Sequence, residues 1–529
     1  MTTDLALILS QIIITACFIG VILVILTDKI NRAIISLVGA LIVFFALVFL
    51  NNAAPSDFID ILFGISPGFV SLHALVLIIG MLFIVQICSS AGVFQFIAFK
   101  LIKMTKGKPI RLIFSLCAIT MLVAAILGNI LAVIVLIPLT ITASRILNID
   151  PRPYIICQAI TIPIGEIVFS ISSVPSILIT SYAQIGFVDY FLNVGLFCLL
   201  LFIITLIYFS IYHRNKLNSP KSRLIEVLMD FNAWNYVPDK RLFYKSIIIF
   251  VAVLIGFIII PSALIPPDII ALTGGITLVV INRLNGKEIV QKLDLELLLY
   301  LLGIFLITGG MEYVKVIDAV GQAFAGLAGG NTFTLLLATL WISALLSSAV
   351  DNIPITKVLI PIVDVMTRGY PASIVKSSYY SLAFGMSLGD NLTPLGDTIM
   401  TRNVSEQNGV TFSNAQFFRI AFKVALIHLI TLSIYFTFFF YIAFGLFIIF
   451  LAFLFIFLII FLRYLTKSSS VDETLLFSNA LRKLKDVKYR RNKKLIFREF
   501  LKKIITPNQK KDWKKKILND AKRFLKEMM

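Results

Sequence analysis

Apolar runs of about twenty residues recur along most of this chain, and they decide what it can become. They lie near 5–26, 33–50, 71–88, 109–127, 130–144, 154–182 and 190–212. After a polar stretch they resume near 243–261, 268–282, 295–309, 332–349, 353–366, 371–400, 417–440 and 442–462. A twenty-residue helix is about 30 Å long, the thickness of a bilayer's hydrocarbon core. Only 14% of the 529 residues are charged, against roughly a quarter in soluble domains. A chain that is 59% apolar lacks the polar groups to clothe a water-facing surface of this size. These features exclude a cytosolic globular enzyme and a disordered regulator, and leave an all-α polytopic membrane protein. The first run has neither a basic leader nor a small-residue cleavage site, so it reads as a permanent span.

The net charge of +19 is concentrated. Residues 463–529 hold 21 Lys and Arg against 7 Asp and Glu, which leaves +5 for everything before them. In this tail Trp513, Ile517, Leu518, Ala521, Phe524, Leu525 and Met528 recur at helical spacing opposite Lys514–Lys516, Lys522, Arg523 and Lys526. Such a basic amphipathic helix suits an anionic lipid surface rather than nucleic acid. The five cysteines (17, 88, 117, 157, 198) sit in apolar runs without a CxxC pair and read as small core hydrophobes.

Allowing one re-entrant hairpin in each half sorts the basic residues. Lys29, Arg32, the block from Lys100 to Arg111, Arg145, Arg152, the positives of 214–245, Arg283, Lys287, Lys292 and the tail share one face. Lys315, Arg368 and Lys376 are left on the other. The positive-inside rule then puts the amino terminus outside and the carboxyl terminus in the cytoplasm of a cell-membrane protein. The expected organisation is a first repeat over 1–212, a cytoplasmic linker over 213–242, a second repeat over 243–440, an extra transmembrane helix over 441–463 and a basic cytoplasmic tail over 464–529.

The halves are related at an offset of 223 residues. Gly128-Asn-Ile-Leu-Ala-Val-Ile-Val-Leu-Ile-Pro138 aligns with Asp351-Asn-Ile-Pro-Ile-Thr-Lys-Val-Leu-Ile-Pro361, and the same offset pairs Gly80 with Gly303 and Ile84 with Ile307. Asn and Pro at one offset weigh more than matching aliphatics. Each half has five spans, an odd number, so the repeats are expected to be inverted, as in alternating-access carriers. Helix interruptions fall at equivalent places. They are Gly128-Asn129 and Pro163-Ile164-Gly165-Glu166 in the first half, and Asp351-Asn352-Ile353-Pro354 and Gly389-Asp390-Asn391-Leu392-Thr393-Pro394-Leu395-Gly396-Asp397 in the second. Backbone groups freed at such breaks need a lined cavity or an ion.

Charge at bilayer depth costs about 3 kcal/mol or more unless it is paired or used. Glu166, Asp351, Lys357, Asp390 and Asp397 all stand in apolar surroundings. Glu166 and Asp390 each follow a glycine, one residue off the repeat offset, and read as pseudo-symmetric site residues. Asn129, Asn352, Asn391 and Thr393 add neutral oxygens suited to Na⁺ or a proton. Lys357, within two turns of Asp351, is expected either to neutralise a carboxylate or to compete with a cation. Asp364 reads as solvated.

These motifs resemble the ion transporter superfamily, which contains arsenite permeases, NhaD-type sodium/proton antiporters, the P protein and citrate/dicarboxylate carriers. The resemblance covers roughly residues 5–440 and rests on Ser348-Ala-Val-Asp-Asn-Ile-Pro354, Leu388-Gly-Asp-Asn-Leu-Thr-Pro-Leu-Gly396, Leu147-Asn-Ile-Asp-Pro-Arg-Pro153 and Gly309-Gly-Met-Glu312. It implies a moving domain of two hairpins and two broken helices, Asn129 and Asn352 at hairpin tips, breaks at 163–173 and 389–397, and a homodimer. The chain departs from the family at Gly128, where relatives commonly carry Asp, and at its extra Asp390 and Asp397. Acidic enrichment favours a sodium- or proton-coupled transporter; the alternative is a sodium-coupled citrate, dicarboxylate or other anion carrier. No catalytic residue and no cofactor is expected, and no metal site beyond transient Na⁺. A channel would need a continuous pore, and an intramembrane aspartyl protease would need the Gly-x-Gly-Asp and Tyr-Asp pair that this chain lacks. His73 and His428 read as helix-packing residues, and Phe94–Met104 and Tyr313–Leu327 as interfacial arm helices.

Overall fold

Polar caps punctuate the apolar runs and set the helix boundaries. The computed structural model describes residues 2–441 except 28, 65–68, 214–216, 218–219, 221–223, 226–228, 231, 263 and 394–396. The expected last span and the basic tail lie outside the described residues. Within them no strand occurs. The helices are α1 (Thr2–Leu26), α2 (Arg32–Asn51), α3 (Pro55–Phe63), α4 (Val70–Ser90), α5 (Val93–Met104), α6 (Pro109–Leu147), α7 (Arg152–Glu166), α8 (Val174–Tyr182) and α9 (Phe187–His213). They continue with α10 (Lys240–Ile259), α11 (Pro267–Ile281), α12 (Gly286–Lys292), α13 (Leu295–Tyr313), α14 (Val316–Ala328), α15 (Thr332–Ala349), α16 (Asn352–Met366), α17 (Ala372–Gly389), α18 (Asp397–Gln407) and α19 (Asn414–Tyr441). Side-chain oxygens of Asn31, Asp239, Asp294 and Asn331 accept from the first free amides of α2, α10, α13 and α15, the usual remedy for unpaired donors at a helix start.

Nine of the described helices are long and apolar enough to cross a membrane. The sequence reading expects eleven spans and two hairpins. Of the expected spans, 154–182 and 268–282 are represented by α7 and α11, each only 15 residues long, 371–400 by the more polar α17, and 442–462 lies outside the described residues; α6 and α15, which belong to the expected hairpins, count among the nine instead.

Helix boundaries repeat along with the sequence. Shifted by 223 residues, α4 becomes 293–313 against Leu295–Tyr313, α5 becomes 316–327 against Val316–Ala328, and α8 becomes 397–405 against Asp397–Gln407. The packing repeats reciprocally: α4 of the first half lies against α11 of the second, and α13 of the second lies against α2 of the first. The matched glycines make both crossings close. A Cβ on Gly80 would stand 2.5 Å from the Leu272 nitrogen, and one on Gly303 2.5 Å from Ser36 Oγ and 2.7 Å from its carbonyl carbon. Thr205 and His428, themselves 223 residues apart, share a buried 2.7 Å hydrogen bond.

These crossings yield a stability prediction. Backbone atoms cannot give way, so Gly80→Val or Gly303→Val should each cost about 3 kcal/mol. The readout is the unfolding temperature in detergent. Gly20→Ala is the control, because nothing lies within 4 Å of its new methyl.

The polar linker packs against α5. Trp234 stacks among Phe96, Phe243 and Tyr244, with Lys240 5.1 Å above its ring. Cys88, Cys117, Cys157 and Cys198 are buried free thiols, and Cys17 is half-buried. His73 pairs with Asp268 at 2.9 Å, joining the first turns of α4 and α11.

Candidate functional site

A straight 39-residue helix would be about 58 Å long, nearly twice the hydrocarbon thickness. The α6 path is broken at Gly128, whose φ of 72° and ψ of −175° are not helical. Helix resumes at Asn129, whose side-chain oxygen accepts the Ile130 amide at 2.7 Å. In the second half the equivalent break falls between α15 and α16. Val350 is extended, and the Asp351 side chain caps α16 by accepting the Ile353 amide at 3.0 Å. Pro354 is the third residue of α16, where a missing N–H costs nothing.

A second pair of breaks faces the first. α7 ends at Glu166 and α8 begins at Val174; α17 ends at Gly389 and α18 begins at Asp397. The helix continues through Pro163 and Gly165, so the unwound stretch is 167–173, at the far end of the expected 163–173. Gly165 and Gly389 let these ends approach α6 and α15 alike. A Cβ on Gly165 would lie 2.6 Å from the Met121 oxygen, and one on Gly389 2.4 Å from the Ala344 oxygen. Met121 and Ala344 are themselves 223 residues apart.

The second-half break gathers the polar groups. Asp390 is 6% exposed. One of its carboxylate oxygens accepts from Asn352 Nδ2 at 2.6 Å, and the other from Ser347 Oγ at 3.1 Å. Ser347 also lies within hydrogen-bond reach of Asn352 Oδ1 and of the Met386 carbonyl. The start of α16 and the unwound segment after α17 therefore meet at one carboxylate. Thr393 donates to the Ser348 carbonyl. Asn391 Nδ2 donates across the halves to the Ile160 carbonyl at 3.0 Å, which ties this break to α7. Asp351 stands apart from Asp390 in its partners: the Tyr300 hydroxyl reaches it at 3.4 Å.

Other expected residues lie elsewhere. Lys357 does not turn to Asp351; its ammonium donates to Ser71 Oγ at 2.8 Å and sits 4.7 Å above the Phe305 ring. Glu166 is buried at the end of α7, and Asn129 is half-buried just after the break in α6. Ser172 binds the 167–173 stretch to α6 by donating to the Ala125 carbonyl at 2.6 Å. Pro394, Gly396 and the Asp397 side chain lie outside the described residues. The sequence reading missed Ser347, Ser172, Ser71 and Tyr300. Among the described residues no three His, Cys, Asp or Glu side chains cluster as a metal site would. The oxygens around Asp390 are hydroxyl, amide and carbonyl groups.

The profile of the citrate transporter family matches residues 22–378 and 265–518. The chain belongs to the citrate transporter family. It is 25% identical to a 46 kDa membrane protein of Mycobacterium leprae over 81% of this chain and 98% of that protein. It is 24% identical to an uncharacterized transporter of Mycobacterium tuberculosis over 80% and 97%. Against the human P protein it is 23% identical over 78% of its own length, and it spans 58% of that relative. Two solved transporters share the fold at 13% identity. Neisseria gonorrhoeae MtrF, described as illuminating a class of antimetabolite efflux pumps, has a TM-score of 0.52 over 74% of this chain and 84% of its own. Alcanivorax borkumensis YdaH has 0.50 over 74% and 88%. This member of the citrate transporter family is thus a multi-pass membrane transporter whose substrate is a small ion or anion.

Proposed function

We propose that the chain is a secondary active ion transporter of the cell membrane that works by alternating access and is coupled to sodium, protons or both. The observation that carries this is Asp390, a buried carboxylate at an unwound helix, held by the Asn352 amide at the tip of the opposing segment. One carboxylate among neutral oxygens gives a hard monovalent cation, or a proton, a site it can leave again. The reciprocal packing of the halves supports reading them as inverted repeats, each entering from the opposite face. In this reading α2, α4, α11 and α13 form a scaffold. The broken segments α6–α9 and α15–α19 form the moving part, with re-entrant hairpins at Gly128-Asn129 and Asp351-Asn352. The amino terminus is outside and the carboxyl terminus cytoplasmic, as the Lys and Arg distribution directs. The basic tail rests on anionic lipid, and two copies assemble.

The family match favours a second reading, sodium-coupled uptake of citrate or a related anion. One assay separates the two. Purified protein is placed in liposomes with an acidic interior and an internal pH dye. Sodium, lithium and potassium are added in turn, then citrate, succinate and arsenite. Proton efflux on sodium addition establishes antiport. No cation response, with sodium-dependent uptake of an anion, establishes the second reading. Flux that neither saturates nor runs uphill would sink both and leave a channel.

A further inference from the structure

Lys357 is a half-buried cation with an incomplete set of partners. Among the described residues no carboxylate stands within ion-pair distance of it. Its three N–H donors meet one hydroxyl, that of Ser71 in the first turn of α4, and one aromatic face, that of Phe305 on α13. Both neighbours are fully enclosed, Ser71 at 3% exposure and Phe305 at 0%. The first repeat has Ile134 at the equivalent position, 48% exposed, so this contact has no counterpart there.

Glu312 is in the complementary position. It lies in the last turn of α13 and is exposed, and its carboxylate makes no hydrogen bond or ion pair among the described residues. The cations near it are engaged elsewhere: Lys315 and Arg368 both hold Asp318, at 3.7 and 3.2 Å. An acid at the carboxyl end of a helix faces the negative pole of the helix dipole and gains from an arriving cation. Phe305 and Glu312 are seven residues apart, two helical turns, so they share a stripe of α13 about 10 Å long. α16, which carries Lys357, packs against α13.

We propose that Lys357 is a sliding contact between the moving part and the scaffold: it is held by Ser71 and Phe305 in the state seen here and by Glu312 in the other. This rests on the alternating-access reading. An ammonium on a flexible stem exchanges one partner for another along the stripe, so the charge is never left unsolvated in transit. Coupling follows because each end of the travel offers a distinct set of contacts, which makes two discrete arrangements rather than a continuum.

The test uses full-length protein in vesicles, with the five native cysteines replaced. A short bifunctional thiol reagent is applied to Lys357→Cys with Ser71→Cys, and separately to Lys357→Cys with Glu312→Cys. Ile130→Cys, beside the first tip, reports access from each side with an impermeant maleimide. Without solute the 71–357 link is expected to dominate. With saturating sodium and each solute of the liposome assay it should fall at least threefold while the 312–357 link appears. A tip that changes access while the 312–357 link never forms overturns the sliding contact and leaves alternating access standing. A tip that never changes access overturns the alternating-access reading itself, and the contact with it. A second measurement compares Lys357→Met, Glu312→Gln and the double variant in transport. The double should be no more than twofold slower than the slower single; losses that multiply would refute the pairing.

Discussion

Asp390→Asn is expected to lower transport about a hundredfold while the protein still folds and expresses. Asparagine has the same shape, and its amide suits the two existing partners. Its oxygen accepts from Asn352, and its nitrogen donates to Ser347, whose hydroxyl both donates and accepts. The hydrogen-bond framework survives and only the charge is lost. Contacts between a charged group and its ligands are worth about 1.5–3 kcal/mol each. Losing about 3 kcal/mol from ion binding corresponds to roughly a hundredfold in affinity. Asp390→Ala is the contrasting variant: it strands Asn352 Nδ2 without an acceptor and should also lower the unfolding temperature. Ion-dependent flux in liposomes and thermal unfolding in detergent separate the two effects. Wild-type sodium dependence in Asp390→Asn would move the ion site elsewhere.

Much of the architecture is legible in the chain because membrane helices announce themselves. Length and hydropathy locate the spans, and Asn, Asp and Ser caps end them. The repeat is legible from Asn129/Asn352 and Pro138/Pro361, and the paired glycines 80 and 303 turn out to mark equivalent crossings. The site is less legible, for reasons that can be named. Ser347 looks like the other hydroxyl residues of α15, such as Thr339 and Ser343, which simply donate back to the preceding turn. Nothing in a linear pattern says that Ser347 instead faces Asp390. Lys357 follows Asp351 by six residues, which puts it about 240° round the helix. Distance along the chain implies a pair, but angle forbids it, and the lysine turns to α4 and α13. Pro163 reads as a breaker, yet α7 runs on to Glu166. Close packing of Gly165 against Met121 fixes the helix end there, and tertiary contact overrides local propensity.

Gly128 is the position where sequence comparison within the chain most invites a wrong repair. Its counterpart is Asp351, so Gly128→Asp would seem to restore a symmetrical pair of acidic tips. The backbones are not equivalent. Asp351 has φ −50° and ψ 134°, open to any residue, and its side chain caps α16. Gly128 has φ 72° and ψ −175°, a region essentially reserved for glycine. A Cβ there would also stand 2.8 Å from the Ser172 carbonyl oxygen, and Ser172 is the residue that ties the 167–173 stretch to α6. Strain of this kind costs about 1–3 kcal/mol, and the contact adds to it. Gly128→Ala should therefore lower the unfolding temperature and slow transport at least about tenfold, by displacing Asn129 and Ser172 together. Gly128→Asp should be worse than alanine, because its carboxylate would enter beside the Ser172 carbonyl oxygen. Asp351→Gly should cost only part of the helix cap, a few tenths of a kcal/mol, unless the carboxylate itself binds the ion. Transport and unfolding measured on all three variants decide the matter. If Gly128→Asp transports like the wild type, the first tip is not held by its backbone. If Gly128→Ala and Gly128→Asp both fail while Asp351→Gly works, the two tips have divided their labour: glycine shapes the first break, and Asn352 with Asp390 holds the charge chemistry of the second.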